Sequence, residues 1–156
     1  MRENDDTADC LLCRKQRGEV PIPGGWIYEN EFLTVCHMSY PTSGPDQIYP
    51  GYLLSENKRH MPGLAELTDK EAQAIGLMAS RLARALKECE GGEHMYEFVF
   101  GHDVPHLHIH LVPRYPGTPR EYWGMRVDEW PAAPHGSLPE IEALCEQLGA
   151  SLRNEA

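Results

Sequence analysis

The chain has 156 residues, 41% hydrophobic and 24% charged, a composition that suits one globular domain with a core of its own. With 24 acids against 14 Lys and Arg, the formal net charge of -10 argues against polynucleotides and anionic membranes as partners, since both are gripped through basic groups. A small phosphorylated ligand stays open, because a local cluster of donors is enough for it. No apolar run approaches a membrane span and the start MRENDDTADC is acidic and polar, so a cytoplasmic location is expected.

Residues 1–9 hold almost nothing to bury and read as a disordered acidic tail. The pair Cys10 and Cys13 follows. With Cys36, Cys89 and Cys145 they make five cysteines, an odd set in a chain with no export signal, so a disulfide framework is not expected. A redox pair belongs at the end of a strand, opening a helix; this pair follows an acidic tail, which favours a metal half-site. Further on, Trp26 to Tyr28 and Phe32 to Cys36 flank Glu29-Asn30-Glu31 and predict a hairpin. The segment PTSGPDQIYPG predicts a loop, and a strand is expected over Tyr52 to Ser55, with the run ending at His60.

Thr68-Asp69-Lys70-Glu71 has the form of a capping box, in which Thr68 and Glu71 each satisfy the other's backbone amide. Behind it Ile75, Met78, Ala79, Leu82, Leu86 and Cys89 fall on one helical stripe, and Glu90-Gly91-Gly92 ends the helix. A strand EHMYEFVF, a turn GHDVP and the segment PHLHIHLVPR follow. Residues 113–136 are rich in Pro and Gly, but Tyr115, Tyr122, Trp123 and Trp130 predict a loop ordered by packing. A second cap, Ser137 with Glu140, opens a C-terminal helix with the stripe Leu138, Ile141, Leu144, Cys145, Leu148 and Leu152.

The segment PHLHIHLVPR carries the chemistry. On a helix, residues two apart diverge; on a strand, His106, His108 and His110 share one face and Leu107, Ile109 and Leu111 the other. The bounding prolines and β-branched Ile109 and Val112 favour a strand of about seven residues, with its aliphatic face on the core. A solvated face is the bland alternative. Two chemical readings stay open: imidazoles holding a catalytic zinc with a position left for water, or one imidazole acting as a nucleophile toward phosphorus, its other nitrogen fixed by an acceptor.

PHLHIHLVPR resembles the His-φ-His-φ-His-φ-φ signature (φ apolar) of the histidine triad family of nucleotidyl hydrolases and transferases. Cys10-Leu-Leu-Cys13, PGYLLSENKRH and LAELTDKEAQAIGLMASRLARAL resemble family segments in the same order, so the likeness covers roughly residues 10–115. It implies an α+β fold, an antiparallel sheet with a long helix after the second hairpin region and a C-terminal helix. Residues 10–115 would form the triad domain and 116–156 the aromatic, Pro-rich loop and helix packed on it. The resemblance further implies a homodimer that cleaves a nucleotide phosphoanhydride or phosphoramidate at the α-phosphate. His108 is then the nucleophile forming a nucleotidyl-histidine, His110 a donor to phosphate oxygens, and His106 the source of a carbonyl that orients His108. As in zinc-bearing members, Cys10, Cys13, His60 and His106 are expected to hold a structural zinc.

Two places depart from the family pattern. Where members carry Gly-Gln-Ser or Gly-Gln-Thr before the triad, this chain has Gly101-His102-Asp103; His102 and Asp103 are the expected substrate contacts there. Where the family has Asp or Asn for the ribose, the comparable stretch is Cys36-His37-Met38-Ser39. Arg114 is a candidate for neutralising a phosphate, while Arg120 and Arg126 read as surface charge. A nucleotide-binding module with little turnover and a metalloenzyme with zinc on the triad are the alternative functions.

Overall fold

Among the described residues, alternation and turn chemistry produce five strands that form one antiparallel sheet. The computed structural model describes residues 6–39, 44 and 46–155. In chain order the elements are α1 (Asp6–Asp9), α2 (Leu11–Gln16), β1 (Tyr28–Glu29), β2 (Leu33–His37), β3 (Leu53–Asn57), α3 (Asp69–Glu90), β4 (His94–Phe98), β5 (His108–Arg114) and α4 (Leu138–Asn154). The strand order is β1-β2-β3-β5-β4, with every pairing antiparallel, so the fold is α+β as expected. Short 3₁₀ turns at Leu64–Glu66 and Arg120–Tyr122 complete the list.

The hairpin β1–β2 forms where the sequence places it. Asn30 makes the turn by accepting the amides of Phe32 and Leu33 on its side-chain oxygen, at 2.8 and 2.9 Å. The entry to β3 depends on Gly51. Its φ is +75°, a region that favours glycine, and a Cβ there would stand 2.7 Å from Leu86 Cδ2. The Gly51 amide donates to His37 Nε2 at 3.0 Å. Part of the predicted loop, residues 41–43 and 45, lies outside the described residues, as does most of the predicted tail, residues 1–5. Residues 6–9 are not irregular as expected; they form the helical turn α1.

One face of the sheet makes the main core. Leu33, Val35, Leu53, Ile109 and Leu111 pack on Met78, Leu82 and Leu86 of α3 and on Ile141, Leu144 and Leu148 of α4. Each buried aliphatic side chain contributes about 1.5–3 kcal/mol. The capping box on α3 is complete: Thr68 Oγ1 accepts from the Glu71 amide at 3.3 Å and Glu71 Oε2 accepts from the Thr68 amide at 2.8 Å. Gly91, in the left-handed region, ends the helix as predicted. Ser137 and Glu140 cap α4 in the same way.

The aromatic loop is ordered by packing. Tyr49, Val112, Tyr115, Val127 and Ala133 form a second cluster, joined by Trp130. The Tyr49 and Tyr115 hydroxyls donate to the carbonyls of Pro113 and Pro50 at 2.7 and 2.8 Å, which satisfies both buried groups.

Candidate functional site

The register fixes which side chains meet. Glu56 opposes His108 and Leu54 opposes His110, while on the other side of β3 Cys36 opposes Leu54. Directly opposed residues share a face. Cys36, Leu54, Glu56, His108 and His110 therefore stand together on the face turned away from α3 and α4. The helix α2 lies against this face and closes a cavity of about 300 Å³. His108, His110, His102 and Asp103 line one part of it; Leu11, Leu12, Met38 and Leu54 line its walls, with Lys15 and Glu56 beside them.

The three histidines are not alike. The strand begins at His108, not near Pro105 as predicted, and His106 lies before it. The cause is competition for Asn57 at the end of β3. The Asn57 amide donates to the Leu107 carbonyl, and the Asn57 carbonyl is taken by His106 Nε2 at 2.7 Å. A carbonyl can only accept, so His106 carries its proton on Nε2 and presents a Nδ1 lone pair. The same logic applies to His108, whose Nδ1 lies 2.7 Å from the His106 carbonyl. Its proton sits on Nδ1, and Nε2 is left with the free lone pair.

His110 is more enclosed. Its Nδ1 lies 3.0 Å from the Tyr52 hydroxyl, and its ring meets Tyr52 and Phe100 edge-on. Burial, and then the neighbouring His108, push its pKa down to about 4. Burial also raises the Tyr52 hydroxyl to about 12, so it keeps its proton and can donate.

His106 Nδ1 faces a group of donors from three segments. It lies 3.3 Å from Cys10 Sγ, 3.4 Å from Cys13 Sγ and 3.3 Å from His60 Nδ1, and Cys13 Sγ lies 3.4 Å from His60 Nδ1. These are the four sequence-predicted ligands, with all four donor atoms within 4.8 Å of one another. Around a tetrahedral zinc, bond lengths of about 2.0 Å to nitrogen and about 2.3 Å to sulfur place nitrogens about 3.3 Å apart and nitrogen and sulfur about 3.5 Å apart. The donor set and its spacing fit that ion. Burial, and then the nearby Cys10, raise the Cys13 thiol to about 11. Among the described residues the three triad histidines do not converge as one donor set: only His106 joins the cluster.

The structure does not bring Arg114 to the cavity. It stands at the other end of β5, six residues or roughly 20 Å from His108. Its guanidinium lies 3.7 Å over the Trp123 ring and donates to the Tyr96 hydroxyl at 3.2 Å. In the stretch compared with the ribose contact, Met38 lines the cavity, whereas His37 points into the fold and accepts from Gly51.

Four residues of the site were not found from sequence: Tyr52, Asn57, Lys15 and Glu56. Period-two spacing of Tyr52, Leu54 and Glu56 was visible, and so was an acid inside a strand. What assigns them to His108 and His110 is pairing register, which no local pattern contains.

Residues 21–117, more than half of the chain, match the family described as the HIT domain. A bis(5'-adenosyl)-triphosphatase of Dictyostelium discoideum is 28% identical over 97 residues, 58% of this chain and 65% of that protein. The alignment thus leaves about a third of that relative unmatched. The protein hit of Bacillus subtilis is 27% identical over 118 residues, 69% of this chain and 72% of that one. Among solved structures, a Zn-bound histidine triad family protein from Mycobacterium smegmatis superimposes with a TM-score of 0.69, 21% identity and 96% of each chain covered. A hypothetical histidine triad nucleotide-binding protein from Sulfolobus tokodaii gives a TM-score of 0.69 at 18% identity, with 93% of each covered. At those identities the structural likeness speaks for the fold, and the sequence match over residues 21–117 speaks for descent: the chain belongs to the HIT domain family.

Proposed function

We propose that this protein is a nucleotidyl hydrolase or transferase that cleaves a phosphoanhydride or phosphoramidate at the α-phosphate through His108. The observation that carries the reading is the hydrogen bond from His108 Nδ1 to the His106 carbonyl, 2.7 Å long. It holds the neutral ring in one tautomer and leaves Nε2 as the nucleophile. Nε2 attacks the α-phosphorus, the bond to the leaving oxygen or nitrogen breaks, and the leaving group departs with the electron pair. Water or another acceptor then attacks the same phosphorus and releases His108. In this reading Tyr52 donates to His110 Nδ1, and the neutral ring of His110 presents Nε2–H to the phosphate oxygens as charge builds. His102 and Asp103, exposed at the cavity, stand where a leaving group would depart.

Cys10, Cys13, His60 and His106 would hold zinc. A bound zinc with four protein ligands has no open position, and supplies a cross-link between α2 and the triad segment. Held in that set, His106 would also keep in place the carbonyl on which His108 depends. The homodimer belongs to the same reading; its support is β4, the edge strand that ends the sheet.

The test is a panel of dinucleoside polyphosphates, nucleoside phosphoramidates and nucleotide sugars, with His108→Ala as control. Turnover of at least one class, lost in the variant, is expected. One observation favours the second reading, a binding module with little turnover: the exposed carboxylate of Asp103 beside the cavity. That reading takes over if nucleotides bind while no class is turned over and His108→Ala changes nothing.

A further inference from the structure

Resting on the proposed nucleotidyl transfer and zinc binding, we infer that Leu11 and Leu12 couple the two sites of this chain. A nucleotide in the cavity and a metal ion on Cys10, Cys13, His60 and His106 each tighten the binding of the other. The two leucines are the residues between Cys10 and Cys13, and both line the cavity that holds His108 and His110. Cavity wall and ligand pair are thus one stretch of chain. Leu12 is buried among the two cysteines, and Leu11 and Val104 pack on that cluster. Val104 lines the cavity as well. On the far side of the cluster, His106 lends its carbonyl to His108 Nδ1 at 2.7 Å. The cluster therefore meets the cavity twice, at its wall and at the support of its nucleophile.

The wall depends on the cluster because α2 cannot hold itself. It has six residues, Leu11–Gln16, well short of the roughly 12–15 at which an isolated helix is even marginal in water. Its C-terminal half has polar tethers. The Lys15 ammonium donates to Glu56 and, at 3.2 Å, to Cys36 Sγ, and Gln16 Nε2 donates to the Asn57 carbonyl at 2.9 Å. The N-terminal end is held differently. Cys10 stands at the N-cap and makes no side-chain capping hydrogen bond. This end rests on the packing of Leu11 and Leu12 and on the two thiols, which lie 3.3 and 3.4 Å from His106 Nδ1. A thiol is a weak donor, so such contacts hold far less than four ligand bonds to one centre.

A nucleotide bears on the same wall from inside the cavity. With its phosphate at His108 and His110, its sugar and base gain apolar contact with Leu11 and Leu12 only while α2 is closed. Both ligands then favour one position of α2, which is the condition for positive coupling. Linkage makes the factor equal in the two directions.

An equilibrium competition tests this. The zinc-loaded full chain is titrated with a chromophoric zinc chelator, alone, with saturating AMP or GMP, and with inorganic phosphate. A nucleotide that binds is expected to tighten zinc about tenfold, a typical coupling between two sites. Inorganic phosphate can occupy the histidines but does not reach the leucines, and should leave zinc affinity unchanged. Calorimetry gives the reverse arm, in which zinc removal weakens the same nucleotide by the same factor. Leu11→Ala should shrink the factor in both directions, whatever it does to zinc affinity by itself. Zinc affinity unmoved by a bound nucleotide overturns the inference. Tightening by phosphate to the same extent, or a factor unchanged in Leu11→Ala, also overturns it, since the coupling then runs through folding of the whole chain. If no nucleotide binds the loaded chain, the functional reading fails and the coupling with it. If the chain takes up no zinc, the coupling fails while turnover at His108 stands.

Discussion

His108 and His110 stand two residues apart on one strand, yet their surroundings give them different work. His108 is anchored by a carbonyl, which leaves a lone pair; His110 is anchored by a hydroxyl, which lets the ring act as a donor. Because burial and His108 hold His110 near pKa 4, its ring is neutral at neutral pH, the form that the proposed donor role requires. Tyr52 is a positioning residue in this scheme. Tyr52→Phe should lower kcat roughly fivefold with KM nearly unchanged, the loss of about 1 kcal/mol from one neutral hydrogen bond. Steady-state kinetics measures this, and an unaltered kcat would mean that the Tyr52 ring merely fills space. His37 shows the opposite use of an imidazole. It is buried, pushed down to about 4 by that burial, and spent on receiving the Gly51 amide.

At the level of elements, the N-terminus of α3 is tied to the site through Glu71. Besides capping Thr68, Glu71 accepts from Arg59 Nη2 at 2.7 Å and Nε at 3.0 Å, and from Asn57 Nδ2 at 3.3 Å. Asn57 is the residue whose carbonyl holds His106. Thr68→Ala should cost about 1 kcal/mol of stability in urea unfolding, the worth of an N-cap. Glu71→Gln should cost more, about 1–3 kcal/mol, since it weakens charged hydrogen bonds to Arg59 as well. Equal costs would show that Arg59 adds nothing. The cap, the helical stripe and the Gly91 stop were legible because each is a local rule with a local signature. The Cys10, Cys13, His60 and His106 set was legible only through the family resemblance, since the three segments meet by tertiary packing. The start of β5 was misplaced because alternation continues back through Leu107 while pairing does not. There the backbone and ring of His106 and Leu107 engage Asn57 and Met61 outside the ladder. Lys15 and Glu56 escaped because a lysine on a short helix and an acid on a strand are ordinary until the sheet register and α2 bring them together.

Across the whole molecule, the described helices include none long and apolar enough to cross a membrane. Stability should depend on acid in two stages. His37 and His110 have folded pKa values near 4, below their ordinary 6.5, so their contribution is full above pH 6.5 and lost as pH falls toward 4. Each shift corresponds to up to about 3 kcal/mol. Glu71 is held down near 2 by Arg59 first and the Thr68 amide next, so its contribution is full above pH 4.5 and disappears only toward pH 2. Urea titrations followed by circular dichroism should show the first loss between pH 6.5 and 4, and His37→Gln should reduce it; a flat profile there contradicts the assignment. For the proposed zinc, Cys13→Ser should lose bound metal and melt at lower temperature, whereas His108→Ala should keep both. The central claim is the covalent step at His108, and mass spectrometry of the intact protein, quenched during turnover of a nucleotide substrate, addresses it directly. A mass gain of one nucleotidyl group, mapped to His108 and absent from His108→Ala, is the predicted result. Sustained turnover with no adduct at early times, or turnover undiminished in His108→Ala, would contradict it.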